Sequence, residues 1–232
     1  MSPDRSSPRP SRPAPAGALL VLLALLPGLP LAWPGRPAGS DALELGRREL
    51  RIPAVARPAG FQRLVMPGYH FLCWQGGRVA PLALLTTPVS DLAIQRGLET
   101  LGADPGNNLE QATWDERHDP SSEAAGRHVA GTPIRVEVLI DRLRYHMDEL
   151  VTVPGSDGRS DVRLGGHLQF RPAWRSGCVL CLVSCPGGRL SNGRWTLHDY
   201  AVGRATHTLT TLGRELLTEG REVTVILTPR DD

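Results

Sequence analysis

Three of the chain's four cysteines fall within eight residues, in the segment CVLCLVSCPGG that carries Cys178, Cys181 and Cys185. The order Cys-x-x-Cys-x-x-x-Cys-Pro reproduces the last three cysteines and the proline of the bacterial iron–sulfur run. The first cysteine of that run would fall at Arg175, which cannot ligate iron. A single cluster would therefore have to recruit the distant Cys73 as its fourth thiolate. An iron–sulfur cluster and a zinc ion are the two metal groups that four such thiols could hold.

A buried strand, held by a disulfide or containing free thiols, is the alternative and the interpretation we favour. The residues between the cysteines are valine and leucine, which are typical of strands. In a regular strand Cys181 and Cys185 point to one face and Cys178 to the other, so the three could not share one metal. Cys181 and Cys185 would also lie about 13 Å apart, beyond the ~7 Å limit for a disulfide. Cys73 is then the natural partner for an inter-strand bridge, and we expect the strand to end before Pro186.

A second candidate site lies in a polar segment of the chain. Asp115, Glu116, His118 and Asp119 place three carboxylates and an imidazole within five residues, a set that could bind a divalent cation or transfer protons. A solvated polar loop is the alternative, because sequence spacing alone defines no ligand geometry. The chain contains no GxSxG, phosphate-loop, HExxH or dinucleotide-binding motif, so no enzyme class is indicated.

The first 40 residues differ in composition from the rest. Arg5, Arg9 and Arg12 stand among prolines and serines, and the apolar run ALLVLLALLPGLPLAW follows. This pattern predicts a secretory signal over residues 1–40, cleaved near Ser40 or retained as a signal-anchor. We therefore expect an exported protein of the periplasm or cell envelope, which would meet the membrane through this segment if it is not cleaved. Such an oxidising compartment favours the disulfide interpretation.

Composition limits the other classes of function. The chain has 232 residues, of which 41% are hydrophobic, 22% charged and 5% aromatic, with 25 glycines and 21 prolines. These values are typical of a loop-rich globular domain that can bury a core without disulfides. All 26 basic residues are arginine, but the formal net charge is only +2, so no nucleic-acid partner is predicted.

The elements that must position the cysteines are mostly strands. Apolar residues at every second position predict a half-buried strand at 133–140. From Ser90 the apolar spacing becomes helical and predicts one amphipathic helix over residues 91–101, with Ser90 as N-cap and Gly102 at the C-terminus. A long polar loop is predicted at about 103–132, and its length is typical of a functional or a disordered segment. Further strands are predicted at 49–55, 69–74, 167–170, 178–184, 194–198 and 222–228. We therefore expect an α+β fold, a β-rich single domain over residues 41–232 with one principal helix.

Four segments follow one another after about residue 60: ALLTTPVSDLAIQR at 83–96, LGADPG at 101–106, GTP at 131–133 and VTVILTP at 223–229. In these segments and their order, most of the chain after about residue 60 resembles the YdjY family of exported bacterial proteins. Where the family suggests a His-Glu pair, this chain has Pro81 and Leu82. The family is largely uncharacterised, and some members are described as ferredoxin-like because of their cysteines.

The sequence therefore predicts a non-enzymatic, extracytoplasmic binding or structural module with no identifiable partner. The alternative is an iron–sulfur electron carrier that uses Cys73, Cys178, Cys181 and Cys185. A bound cluster and a disulfide differ in colour and in iron content.

Overall fold

Strands account for most of the regular structure. The computed structural model describes residues 43–62, 68–153, 156–166 and 174–231, which belong to a single mixed α+β domain within Pro37–Asp232. Its strands are β1 (Glu44–Leu45), β2 (Leu50–Ala56), β3 (His70–Trp74), β4 (Ala83–Thr87), β5 (Ile134–Ile140), β6 (Leu143–His146), β7 (Val151–Thr152), β8 (Val162–Leu164), β9 (Cys178–Cys181), β10 (Leu190–Asn192), β11 (Thr208–Leu209) and β12 (Glu222–Pro229).

The helices of the described residues are short apart from one. They are α1 (Pro58–Phe61), α2 (Asp91–Thr100), α3 (Gln111–Asp115), α4 (Met147–Leu150), α5 (Leu197–Ala201) and α6 (Thr211–Leu216), and a 3₁₀ turn spans Ala80–Leu82. Among the described residues, α2 is the longest, as the sequence predicts. Ser90 caps it, because its Oγ accepts a hydrogen bond from the Ala93 amide at 3.2 Å. Gly102 follows its C-terminus with a φ of +88°, a conformation that glycine adopts without strain.

One large sheet organises the domain, in the strand order β6-β5-β12-β2-β4-β3-β9-β10-β8, and β1 pairs with β2. Most neighbours are antiparallel, while β3 runs parallel to β4 and β9 parallel to β10. The sheet curls back on itself, because Arg163 of β8 bridges to Pro133 beside β5. The small strands β7 and β11 form a separate two-stranded sheet.

The central strands follow their sequence patterns. In β5 the side chains of Ile134, Val136, Val138 and Ile140 are buried and those between them are not, which confirms the predicted half-buried strand. Alternate residues of β2 are buried in the same way. Strands predicted at 49–55, 69–74 and 222–228 are also confirmed, with ends that differ by one or a few residues.

Two parts of the chain differ from expectation. The predicted strand at 194–198 is wrong, because Thr196 caps helix α5 and exchanges hydrogen bonds with Asp199 in a capping box. The polar segment at 103–132 contains helix α3 and is anchored by buried Leu109 and Ala125.

The predicted strand at 167–170 and the predicted signal at 1–40 lie outside the described residues. No helix in the described part of the chain combines the length and apolar character that a membrane span requires.

Candidate metal centre

The four cysteines and a histidine come together where β3 pairs with β9. Each strand carries one residue that the other does not match: the extra residue is Phe71 on β3 and Val179 on β9. The antiparallel Cα partners are His70 with Cys181, Leu72 with Leu180, and Cys73 with Cys178.

These two β-bulges put the reactive side chains on one side of the sheet. Residues three apart in a regular strand point to opposite faces, but an extra residue between them reverses the alternation. Phe71 and Val179 pack into the main core, whereas Cys73, Cys178 and Cys181 lie in a second, smaller core cluster. The inference that Cys178 could not converge with the other cysteines is therefore wrong, because it assumed a regular strand.

The ligand atoms lie at short mutual distances. One ligand atom each from His70, Cys73 and Cys178 fits within 4.8 Å of the others, and all three residues are buried. The Nδ1 atom of His70 is 3.4 Å from Cys178 Sγ and 3.8 Å from Cys181 Sγ. The two sulfur atoms of Cys178 and Cys181 are 2.6 Å apart. This His/Cys group could hold a metal ion.

Cys185 reaches the same group by a different route. Strand β9 ends at Cys181 and the chain bends, so the predicted continuous strand to Cys185 is wrong, although the burial of every residue from Cys178 to Cys185 is confirmed. The predicted turn at Pro186 and Gly187 is also confirmed. The Cys185 thiol contacts Cys181, and the backbone amides of Gly187 and Gly188 donate to it. The contact with Cys181 and burial raise the pKa of Cys185, although these amide donors act in the opposite direction.

All four cysteines are free thiols in the structure. Cys73 lies opposite Cys178 across the strand pair, which confirms the expected proximity of Cys73 to this segment. The expected disulfide between Cys73 and one of the three clustered cysteines is not formed. Cys178 instead lies between two sulfur neighbours, Cys73 and Cys181, and contacts both.

The electrostatics of the group favour one ionised thiol. Burial raises the pKa of Cys178, and its contacts with Cys181 and Cys73 act in the same direction. Burial also opposes ionisation of Cys181, but hydrogen bonds with Cys178, Cys185 and His70 outweigh it and lower the pKa of Cys181. A thiolate is the form that binds metal, and within this group the lowered pKa favours that form at Cys181.

The second candidate site does not form a comparable group. Asp115, Glu116, His118 and Asp119 are all exposed. Asp119 accepts hydrogen bonds from Ser121, and Glu116 accepts one from the Ser122 hydroxyl. Within the described ranges, none of the four belongs to a group of ligand atoms close enough to share an ion.

His70 is the member of the centre that sequence reasoning missed. The signal was present, because His70-x-x-Cys73 repeats the spacing of Cys178-x-x-Cys181. Only the pairing of the two strands shows that these motifs face each other.

Comparison with known proteins supports the resemblance described above. The chain is 27% identical over 129 residues to the uncharacterised protein YdjY of Escherichia coli (strain K12), an alignment that covers 55% of this chain and 52% of that protein. The chain thus spans about half the length of this curated relative. No solved structure matches this chain. The family model described as the YdjY domain matches residues 44–228, which is most of the chain, and the chain therefore belongs to the YdjY domain family.

Proposed function

We propose that the chain is a metal-binding module in which His70, Cys73, Cys178 and Cys181 hold one thiophilic ion, zinc or ferrous iron. The observation that carries this proposal is the convergence of buried His70, Cys73 and Cys178 across a doubly bulged strand pair. Cys181 joins them, because its Sγ lies 2.6 Å from Cys178 Sγ and 3.8 Å from His70 Nδ1. Three thiolates and an imidazole are a ligand set that structural zinc sites use.

The spacing of the ligand atoms suits a single ion. Zinc–sulfur bonds of about 2.3 Å in a tetrahedron separate the sulfur atoms by about 3.8 Å. The distances from His70 Nδ1 to Cys178 Sγ and Cys181 Sγ, 3.4 and 3.8 Å, are of this size. The contact of 2.6 Å between Cys178 and Cys181 would open by about 1 Å around an ion. In a four-iron cluster each thiolate binds a different iron, so its ligands stand farther apart.

Charge supports the same set of ligands. A divalent ion with three thiolates and a neutral imidazole carries a net charge of −1, whereas four thiolates would leave −2. An uncompensated charge is costly in a buried site, so the set with His70 needs less compensation from its surroundings. Cys185 is then left outside the ligand set as a neutral thiol, since its contact with Cys181 and burial raise its pKa.

The role that follows is structural or binding rather than catalytic. A bound ion would link β3 to β9, and its binding free energy would add to the folding free energy of the domain. It would also occupy the thiols that would otherwise form disulfides in an oxidising compartment.

An iron–sulfur electron carrier is the second candidate. It is favoured by the presence of four buried thiols, the number that a four-iron cluster requires, in the order Cys-x-x-Cys-x-x-x-Cys-Pro. This ligand set includes Cys185 and leaves out His70. The two candidates therefore make opposite predictions for two residues.

Metal analysis of anaerobically purified variants tests the proposal. We expect wild type and Cys185→Ser to bind one equivalent of zinc or iron, and His70→Gln to lose it. Exposed His118→Gln is the matched control and should keep the metal. A four-iron cluster would reverse this pattern, since Cys185→Ser would lose iron and the broad visible absorption while His70→Gln kept both. Wild-type protein that takes up neither metal, with its four thiols still reactive, would overturn both candidates.

Export is a second part of the proposal. The arginines and the short apolar run within residues 1–40 support it. An alkaline phosphatase fusion made after residue 45 should be active, because the enzyme needs an oxidising compartment to form its disulfides. An inactive fusion of normal abundance would remove export from the proposal and leave the metal site to be judged separately.

A further inference from the structure

A cavity of about 440 Å³ opens beside the candidate metal centre. Its size lies within the ordinary range for small-molecule sites. The described residues that line it are Tyr69, His70, Arg78, Val79, Trp114, Trp174, Ser176, Cys178, Cys185 and Gly187. The cavity therefore connects a wall of aromatic rings to the sulfur atoms of the centre.

The aromatic rings form flat, rigid walls. Trp114 and Trp174 meet edge to face, with ring centroids 4.9 Å apart. Tyr69, which also lines the cavity, packs against the His70 ring and edge-on to the Tyr200 ring, with ring centroids 4.3 and 4.5 Å away. Because the rings brace one another, they offer stacking surface to a ligand at little entropic cost.

Arg78 gives the described lining of the cavity a positive charge, and no carboxylate is among these lining residues. Arg78 lines it with an exposed side chain, and no ion pair is formed by its guanidinium among the described residues. Arg117 lies over the Trp114 ring at 4.2 Å and adds a second positive charge nearby. A guanidinium of this kind binds a carboxylate through paired hydrogen bonds.

The inner end of the cavity is polar but already hydrogen-bonded. Ser176 Oγ donates to the Gly187 carbonyl oxygen at 2.9 Å, and the Cys185 sulfur receives backbone amides. A ligand is therefore held by the aromatic walls and by Arg78 rather than by unused polar groups at the inner end.

We propose that this cavity binds a small planar anion of the aromatic carboxylate class. The ring of the ligand packs at Trp114 and Trp174, stacked on one ring and edge-on to the other because the two rings are nearly perpendicular, and its carboxylate pairs with Arg78. The proposal goes beyond the metal-binding function and does not depend on it, because none of the recognising groups is a proposed metal ligand.

A titration with benzoate and its neutral isostere benzamide tests the proposal. Binding is read from the amide and indole nitrogen–proton signals in NMR spectra. Benzoate should shift the indole signals of Trp114 and Trp174 saturably, while the indole of Trp195, which lines a different cavity, stays in place. Arg78→Gln should weaken benzoate binding about tenfold, to the level of benzamide, because one charge-assisted contact is lost. Arg142→Gln, which removes an arginine beside a separate cavity, is the matched control and should bind like wild type.

The outcomes separate this proposal from the metal proposal. Equal binding of benzoate and benzamide, or no effect of Arg78→Gln, would overturn the anion specificity. The absence of any saturable shift at Trp114 and Trp174 would overturn the site. The titration is run on protein as purified and after metal removal by a chelator, so benzoate binding in both samples supports the cavity even if the metal analysis fails.

Discussion

Acid should destabilise this domain through one buried histidine. His207 is 3% exposed, and neither of its ring nitrogens makes a hydrogen bond of ordinary geometry with the described residues. Burial lowers the pKa of His207 from 6.5 to about 4, although the nearby backbone of Ala205 and Leu182 acts in the opposite direction. The folded domain therefore keeps this imidazole neutral at pH values where the unfolded chain protonates it.

The size of the effect follows from the two pKa values. Well above pH 6.5 the imidazole is neutral in both states and has no effect on the pH dependence. As the pH falls from 6.5 towards 4, the unfolded state binds more protons, so the free energy of unfolding falls. The gap of about 2.5 between the pKa values corresponds to about 3.4 kcal/mol in full, and to about 2.5 kcal/mol at pH 4.5.

Urea unfolding at pH 7.5 and pH 4.5 measures this loss. Wild type should lose about 2.5 kcal/mol more than His207→Leu between the two pH values, because leucine has nothing to protonate. The comparison cancels any acid-induced loss of metal, which affects both proteins alike. His118→Leu, at an exposed position, is the matched control and should lose as much as wild type. Equal losses in wild type and His207→Leu would refute the reasoning.

Two further substitutions test the packing around the centre. Val183 is fully buried next to the cysteines, so Val183→Asp should lower the free energy of unfolding in urea by about 2–5 kcal/mol. Val202 is 48% exposed, so Val202→Asp is the control and should change the free energy of unfolding by about 0.5 kcal/mol or less. The Nη2 atom of Arg189 lies 2.6 Å from the Oδ2 atom of Asp91. Arg189→Met should lower the free energy of unfolding by about 3–5 kcal/mol, because it leaves the Asp91 carboxylate without its buried partner. The double variant Arg189→Met/Asp91→Asn should recover part of that loss, and a double variant no more stable than the single one would contradict this explanation.

Local patterns were sufficient for much of the fold. The alternating residues of β5 and the apolar spacing of α2 each depend on neighbours a few positions away, and both elements appear as predicted. The error at residues 194–198 also has a local cause: Thr196 and Asp199 form a capping box, which is a helix signal that outweighs the β-propensity of Trp195.

The candidate metal centre depends on information that is not local. Whether Cys178 and Cys181 share a face depends on Val179 forming a bulge, and the bulge exists only because β9 pairs with β3 in a particular register. The same pairing brings in His70, which lies more than a hundred residues away in the chain.

The sequence by itself determined the class of the fold, the principal helix, the burial of residues 178–185 and the resemblance to the YdjY family, because apolar periodicity and residue type report local conformation and burial. Tertiary structure alone decided that four thiols and an imidazole converge without forming a disulfide. The physical reason is that strand register, set by packing across the whole sheet, decides which face a side chain occupies, and a shift of one residue reverses it.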